Sequence, residues 1–270
     1  MQFARLKDVS LHYQTIGSPE SKPLLVFANS LGTDQRIWRD VIMRLAGDYS
    51  ILTYDMRGHG LSDTGRTPYT MPMLAADLEG LIDLIGGHDA IIVGVSVGGL
   101  VAQQLYARRP DLVRALILCD TAAKIGTDES WNARIAAIEA GGMASIADGV
   151  LDRWFTPAFR QTAEFPGYRN MLARQPADGY IATCAAIRDC DLSAEARRIA
   201  VPTICIAGDS DASTPPGLVT EFARTIPAAR LEIIKDCGHL PSIEQPVALV
   251  EIMRAFIALV GTETFSHVSH

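Results

Sequence analysis

Ala90-Ile91-Ile92-Val93-Gly94-Val95-Ser96-Val97-Gly98-Gly99-Leu100-Val101-Ala102 is the stretch that decides the fold. Its first half is a continuous apolar run, the pattern of a strand buried on both faces. Its second half continues into Gln103-Gln104-Leu105-Tyr106-Ala107, a helical stretch. Ser96 stands at the junction. A serine raised on a sharp strand-to-helix turn needs small residues two places to either side, and Gly94 and Gly98 supply them. Gly-x-Ser-x-Gly alone is a moderate signal; the strand before it and the helix after it make it a nucleophile elbow.

Working outward, short apolar runs alternate with amphipathic ones. Leu24–Ala28, Ile51–Tyr54, Ala90–Gly94, Ala115–Cys119, Thr203–Ala207 and Leu231–Lys235 read as strands. Met71–Ile85 reads as a helix, with Met71, Leu74, Leu78, Leu81 and Ile85 at steps of three and four. Glu221–Ile226 and Val247–Leu259 also read as helical, and Phe3–Lys7 with Leu11–Ile16 as an antiparallel hairpin. This alternation predicts an α/β fold with a mostly parallel central sheet flanked by helices. The rhythm breaks between about Ala122 and Arg198, where helical patches at Trp131–Glu139, Ile146–Trp154 and Tyr180–Ile187 are separated by Gly and Pro. The expected organisation is a core of 1–121 and 199–262, an inserted helical cap at 122–198, and a polar, frayed tail at 263–270.

Bulk properties narrow the function. The 270 residues are 48% hydrophobic and 20% charged, ample for a sizeable core, and the formal net charge is −7. A mildly acidic chain with no Lys/Arg block argues against nucleic-acid and anionic-membrane partners. The five cysteines are scattered without a Cys-x-x-Cys pair, which argues against a disulfide framework or zinc site and for a reducing compartment. No apolar signal core or membrane-length run occurs, so the expected location is cytoplasmic.

A serine hydroxyl needs a base. Of the six histidines, His267 and His270 lie in the tail, His12 in the hairpin, His88 in a turn, and His59 in Asp55-Met56-Arg57-Gly58-His59-Gly60. His239, in the loop after the last strand, stands where a positioned base belongs, and His59 reads as bracing its loop. The base needs a carboxylate to fix its tautomer. Asp211, just past the strand Thr203–Ala207 and followed by Ala-Ser-Thr-Pro-Pro, is the first candidate. Asp120 and Asp209 are its rivals. The order Ser…Asp…His fits this kind of fold. Oxyanion donors are expected from the N–H groups of Val97 and of Leu31, in the loop Asn29-Ser30-Leu31-Gly32-Thr33.

With these motifs assembled, the chain resembles the α/β-hydrolase superfamily along nearly its whole length. Asp55-Met56-Arg57-Gly58-His59-Gly60-Leu61-Ser62 is similar to its D-x-R-G-x-G-x-S signature. Within it, three stretches resemble bacterial 3-oxoadipate enol-lactonases: Asn29–Thr33; Ala122–Thr127 with Trp131–Ile135; and Cys237–Pro246. The resemblance implies a carboxylic ester hydrolase acting on a small anionic enol-lactone in aromatic catabolism, through an acyl-enzyme and without metal or cofactor. A related carboxylesterase, C–C hydrolase or perhydrolase-like enzyme are the alternatives, and a non-catalytic binding protein is a further one. The lactone's acetate group calls for a cationic partner. Arg134 is the cap residue suited to it, with Trp131 and Trp154 as pocket walls and Lys124 as a lesser candidate.

Overall fold

The computed structural model describes residues 1–18 and 22–263. Eight strands form one sheet: β1 (Gln2–Leu6), β2 (Val9–Ile16), β3 (Leu24–Ala28), β4 (Ser50–Tyr54), β5 (Ala90–Val95), β6 (Val113–Cys119), β7 (Thr203–Gly208) and β8 (Arg230–Ile234). Their order is β1-β2-β4-β3-β5-β6-β7-β8. β2 runs antiparallel to both β1 and β4, and β3 to β8 are parallel. β3 and β5 are buried along their whole length, which is why their sequences are apolar without alternation.

The helices are α1 (Arg39–Leu45), α2 (Met71–Leu84), α3 (Val97–Arg108), α4 (Asp128–Gly141), α5 (Ala144–Trp154), α6 (Phe165–Ala173), α7 (Ala177–Arg188), α8 (Ser193–Ala196), α9 (Pro216–Thr225), α10 (Pro241–Glu244) and α11 (Pro246–Glu263). From β3 the chain steps one way to β4, then returns past β3 to β5 and continues the other way to β8. Right-handed crossovers therefore place α1 on one face and α2 and α3 on the other. The reversal opens a crevice at the C-terminal ends of β3 and β5, where ligands bind in sheets of this kind.

Between β6 and β7 the chain makes only helices among the described elements, α4 to α8 with one 3-10 turn at Phe159–Gln161. We call α4–α8 the cap. Four helices escape the sequence reading. α1 follows directly on a 3-10 turn at Gln35–Trp38, α6 begins with a proline in its first turn, and α8 and α10 are single turns. Proline at the start of a helix is tolerated because that N–H has no intrahelical partner. The proposed tail lies outside the described residues from 264 onward, and α11 runs on to Glu263. No helix among the described residues is long and apolar enough to cross a membrane.

The cap meets the sheet domain at a backbone crossing. Gly58, at φ +70°, lies against Gly179 of α7, and a Cβ on Gly179 would strike Gly58 Cα and its carbonyl oxygen. Next to it, Gly60 N–H donates to Gln175 Oε1 at 3.0 Å. Gly179→Ala should therefore lower unfolding stability by about 1–3 kcal/mol, the usual cost of overpacking. Urea unfolding followed by circular dichroism checks this; an unchanged midpoint would show that the crossing tolerates a methyl group.

Candidate active site

Ser96 sits where β5 turns into α3, with φ 59° and ψ −120°. That conformation is strained for a residue with a side chain and costs on the order of 1–3 kcal/mol. The surroundings hold it. Ser96 N–H donates to Cys119 O at 3.0 Å, and Thr121 Oγ1 donates to Ser96 O at 2.7 Å. A Cβ on Gly98 would strike the carbonyl of Ala28 at the end of β3, and one on Gly94 would strike the carbonyl of Gly98. The two flanking glycines thus let α3 seat directly against the sheet.

Asp211 and His239 come from the loops after β7 and β8. His239 Nδ1 lies 2.8 Å from Asp211 Oδ2. Thr214 Oγ1 donates to the same Oδ2 at 2.6 Å, while Ser213 N–H and Thr214 N–H donate to Oδ1 at 2.7 and 3.2 Å. Burial opposes charge on Asp211, but the imidazole and these donors outweigh it and hold the carboxyl below its ordinary range. A carboxylate on Nδ1 leaves His239 Nε2 to act as the base.

The rival acids are separated by their surroundings. Asp209 stays at the edge, accepting from Ser210 Oγ and Cys237 N–H. Asp120 is fully buried beside Asp211 and His239, and the ligand-type atoms of the three lie within 4.8 Å of one another. Among the described residues this is the cluster closest to a metal-ligand set. Two of its members are already committed to each other, through His239 Nδ1 and Asp211 Oδ2.

Ser30, Leu31, Ser96 and His239 line one cavity of about 510 Å³ with Trp131, Arg134, Arg153, Trp154 and Tyr180 from the cap. Leu31 belongs to a loop fixed by Asn29, whose Nδ2 donates to Tyr54 O at 2.7 Å and whose Oδ1 accepts from Trp38 Nε1 at 2.9 Å. Val97 is the first residue of α3, so its N–H has no intrahelical acceptor. Leu31 lines the cavity, and Val97 directly follows Ser96 in the chain.

The cap candidates fall on two sides. Arg134 extends over the Trp131 ring, 4.7 Å from its centroid, and both line the cavity. Trp131 is held by Nε1 donating to Ile125 O at 2.7 Å. Trp154 is buried, and its carbonyl accepts from His239 N–H at 2.8 Å. Lys124 is exposed and outside the cavity lining.

Sequence reasoning missed Arg153, Tyr180, Thr214 and Glu244. Arg153 is half-buried, and burial together with the nearby Arg134 charge holds its guanidinium below the ordinary value. Neither arginine has a carboxylate partner among the described residues. The hydroxyls of Tyr180 and Ser30 are buried in the same wall without a hydrogen-bond partner. Glu244 ties the cap to the base loop: Oε1 accepts from Thr156 N–H and Oγ1 at 3.1 and 2.6 Å, and Oε2 accepts from Gly238 N–H at 2.6 Å. Arg153 had a signal, a cation beside Trp154; the others were invisible without the folded contacts.

A strained serine and an imidazole steadied by an ionised carboxylate on one cavity can carry out acyl transfer. Comparison with known proteins identifies the family. The profile of the alpha/beta hydrolase family matches residues 25–252. The chain belongs to that family. Among curated relatives, 3-oxoadipate enol-lactonase 2 of Acinetobacter baylyi is 34% identical over 251 residues, covering 92% of this chain and 93% of its own. The crystal structure of the enol-lactonase from Burkholderia xenovorans is 34% identical with a TM-score of 0.91, covering 95% of this chain and all of that one. A thermophilic esterase from Thermogutta terrifontis with malate bound is 27% identical with a TM-score of 0.89, covering 96% and 99% of the two chains.

Within this hydrolase, His59 lies outside the cavity lining and beside the Tyr180 ring, 6.4 Å between centroids. It is fully buried, with Nδ1 3.1 Å from Arg57 O and Nε2 without a partner. Burial pushes its pKa down from 6.5 to about 4. Between those two values the unfolded chain binds a proton at this position that the folded chain does not, so stability falls as pH drops through that window. His59→Gln should flatten the dependence of Tm on pH there; an unchanged slope would remove His59 as its source. A fluorophosphonate probe should label the wild type and leave Ser96→Ala unlabelled, and equal labelling of the two would remove Ser96 as the nucleophile.

Proposed function

We propose that this hydrolase opens a small anionic enol-lactone, with 3-oxoadipate enol-lactone as the substrate. The observation that carries the reading is the pair Arg134 and Arg153, two cap guanidiniums without carboxylate partners in the cavity shared by Ser96 and His239. Two unneutralised cations in a partly desolvated pocket are costly, and a carboxylate-bearing ligand offsets that cost with charge-assisted, bidentate hydrogen bonds. The enol-lactonase relatives named above support the same substrate.

The reaction follows from the placement of the groups. Ser96 Oγ attacks the lactone carbonyl while His239 Nε2 takes its proton. Asp211 steadies the imidazolium, and the N–H groups of Val97 and Leu31 receive the oxyanion. Collapse breaks the ring C–O bond and expels an enolate. The imidazolium returns the proton to that leaving group, which settles as a ketone. The product chain stays bound to Ser96 as an ester. His239 then deprotonates a water that attacks this ester, and Ser96 recovers its proton as the free acid departs as a carboxylate.

The test is hydrolysis of the purified lactone, followed by loss of its ultraviolet absorbance. An intact lactone alongside rapid aryl-ester cleavage would overturn the substrate while leaving the hydrolase reading in place. Arg153→Ala and Arg134→Ala should each raise KM for the lactone by roughly 10- to 100-fold, the value of a charge-assisted hydrogen bond. Their effect on a neutral aryl acetate should be small. Equal effects on both substrates would reject the carboxylate anchor.

A further inference from the structure

Asp120 presents a feature that the reaction above does not use. It closes β6 at φ 46°, its N–H donating to Ile206 O at 2.8 Å. Its side chain is fully buried. Oδ1 accepts from Gly208 N–H at 2.8 Å, and Oδ2 has no partner that could donate to it.

The groups facing it come from four elements. Asp211 approaches from the loop after β7, His239 and Cys237 from the loop after β8, Glu244 from α10, and Cys119 precedes it on its own strand. No ion pair to a lysine or arginine reaches it among the described residues. A second buried carboxylate beside ionised Asp211 would therefore lack both solvent and a counter-charge of its own. Such a charge is expensive, and the group protonates instead. The alternative, an ionised Asp120 with a neutral Asp211, conflicts with the donor set. Asp211 has the two backbone N–H groups, the Thr214 hydroxyl and the imidazole, whereas Asp120 has one backbone N–H.

We propose that Asp120 is a positioning residue that carries a proton on Oδ2 and donates it in a hydrogen bond to the Asp211 carboxylate. The orphaned oxygen then has a partner, and Asp211 gains a further donor from the side away from its loop. Burial and the proximity of Asp211 both favour the protonated form. A carboxylic acid kept neutral by its site so that it can donate a hydrogen bond is an established use of buried aspartate. Here the donor restrains the group that orients His239, so its effect reaches the substrate only through Asp211.

The experiment uses p-nitrophenyl acetate, so that its outcome does not depend on the lactone reading. Asp120→Asn retains a donor of nearly the same shape and should stay within about threefold of wild-type kcat, whereas Asp120→Ala should lose roughly tenfold in kcat with KM little changed. The acid limb of the kcat/KM profile should stay in place in Asp120→Asn. It should move to higher pH in Asp120→Ala, because an Asp211 deprived of a donor holds the imidazolium proton more firmly. Infrared difference spectra of wild type against Asp120→Asn at neutral pH should show a protonated-carboxyl band that the variant lacks. Three results would overturn the proposal: no such band in the wild type, an acid limb in Asp120→Asn displaced to lower pH as loss of a negative charge would cause, or full activity in Asp120→Ala.

Discussion

The site depends on the left-handed backbone at Ser96. At φ 59° the serine neither extends β5 nor belongs to α3, and its side chain is left facing the cavity at the C-terminal edge of the sheet. The strain is contained because α3 seats on the end of β3 through Gly98, and because Cys119 and Thr121 hold both backbone groups of Ser96. Relaxing that turn would withdraw the hydroxyl and the Val97 N–H together, since they are consecutive in the chain. On the proposed mechanism, the nucleophile and one oxyanion donor are thus a single structural unit.

The second unit is the seam where α5 meets the loops after β7 and β8. Ala212 N–H donates to Arg153 O, His239 N–H to Trp154 O, and Glu244 bridges Thr156 and Gly238. The residue that supplies one of the two guanidiniums is therefore bonded through its backbone to the acid loop, and its neighbour to the base. The proposed carboxylate anchor in the cap and the proposed base His239 thus share one hydrogen-bonded frame. On this account the cap fixes the distance between the carboxylate anchor and the reacting carbonyl, which is how a small cavity can discriminate among esters.

The inner strands β3 to β7 were legible because they are buried almost throughout and must be apolar, while β1, β2 and β8 are partly exposed and were found from shorter apolar runs; each of the eight lies within two residues of its expected limits. Elements that rest on tertiary contact were not legible. α1 is too short for a period to show, and α6 opens on Phe165-Pro166, a proline that reads as a break until the helix is seen to start there. The same division runs through the site. Ser96, Asp211 and His239 could be singled out because each follows a recognisable strand. Arg153 was passed over: its one signal was its place beside Trp154, and its lack of a carboxylate partner and its closeness to Arg134 show only in the folded chain. Asp120 drew notice only as a rival acid. Its separate character lies in one partnerless oxygen, which no sequence pattern reports.

The central claim is that Ser96 is acylated by an anionic enol-lactone. Rapid mixing of the protein with 3-oxoadipate enol-lactone, acid quenching within the first turnovers and intact-mass spectrometry test it directly. The account predicts a transient species heavier by one lactone, with the added mass on the peptide that contains Ser96. Turnover of the lactone with no adduct, or with the adduct on another residue, would contradict it.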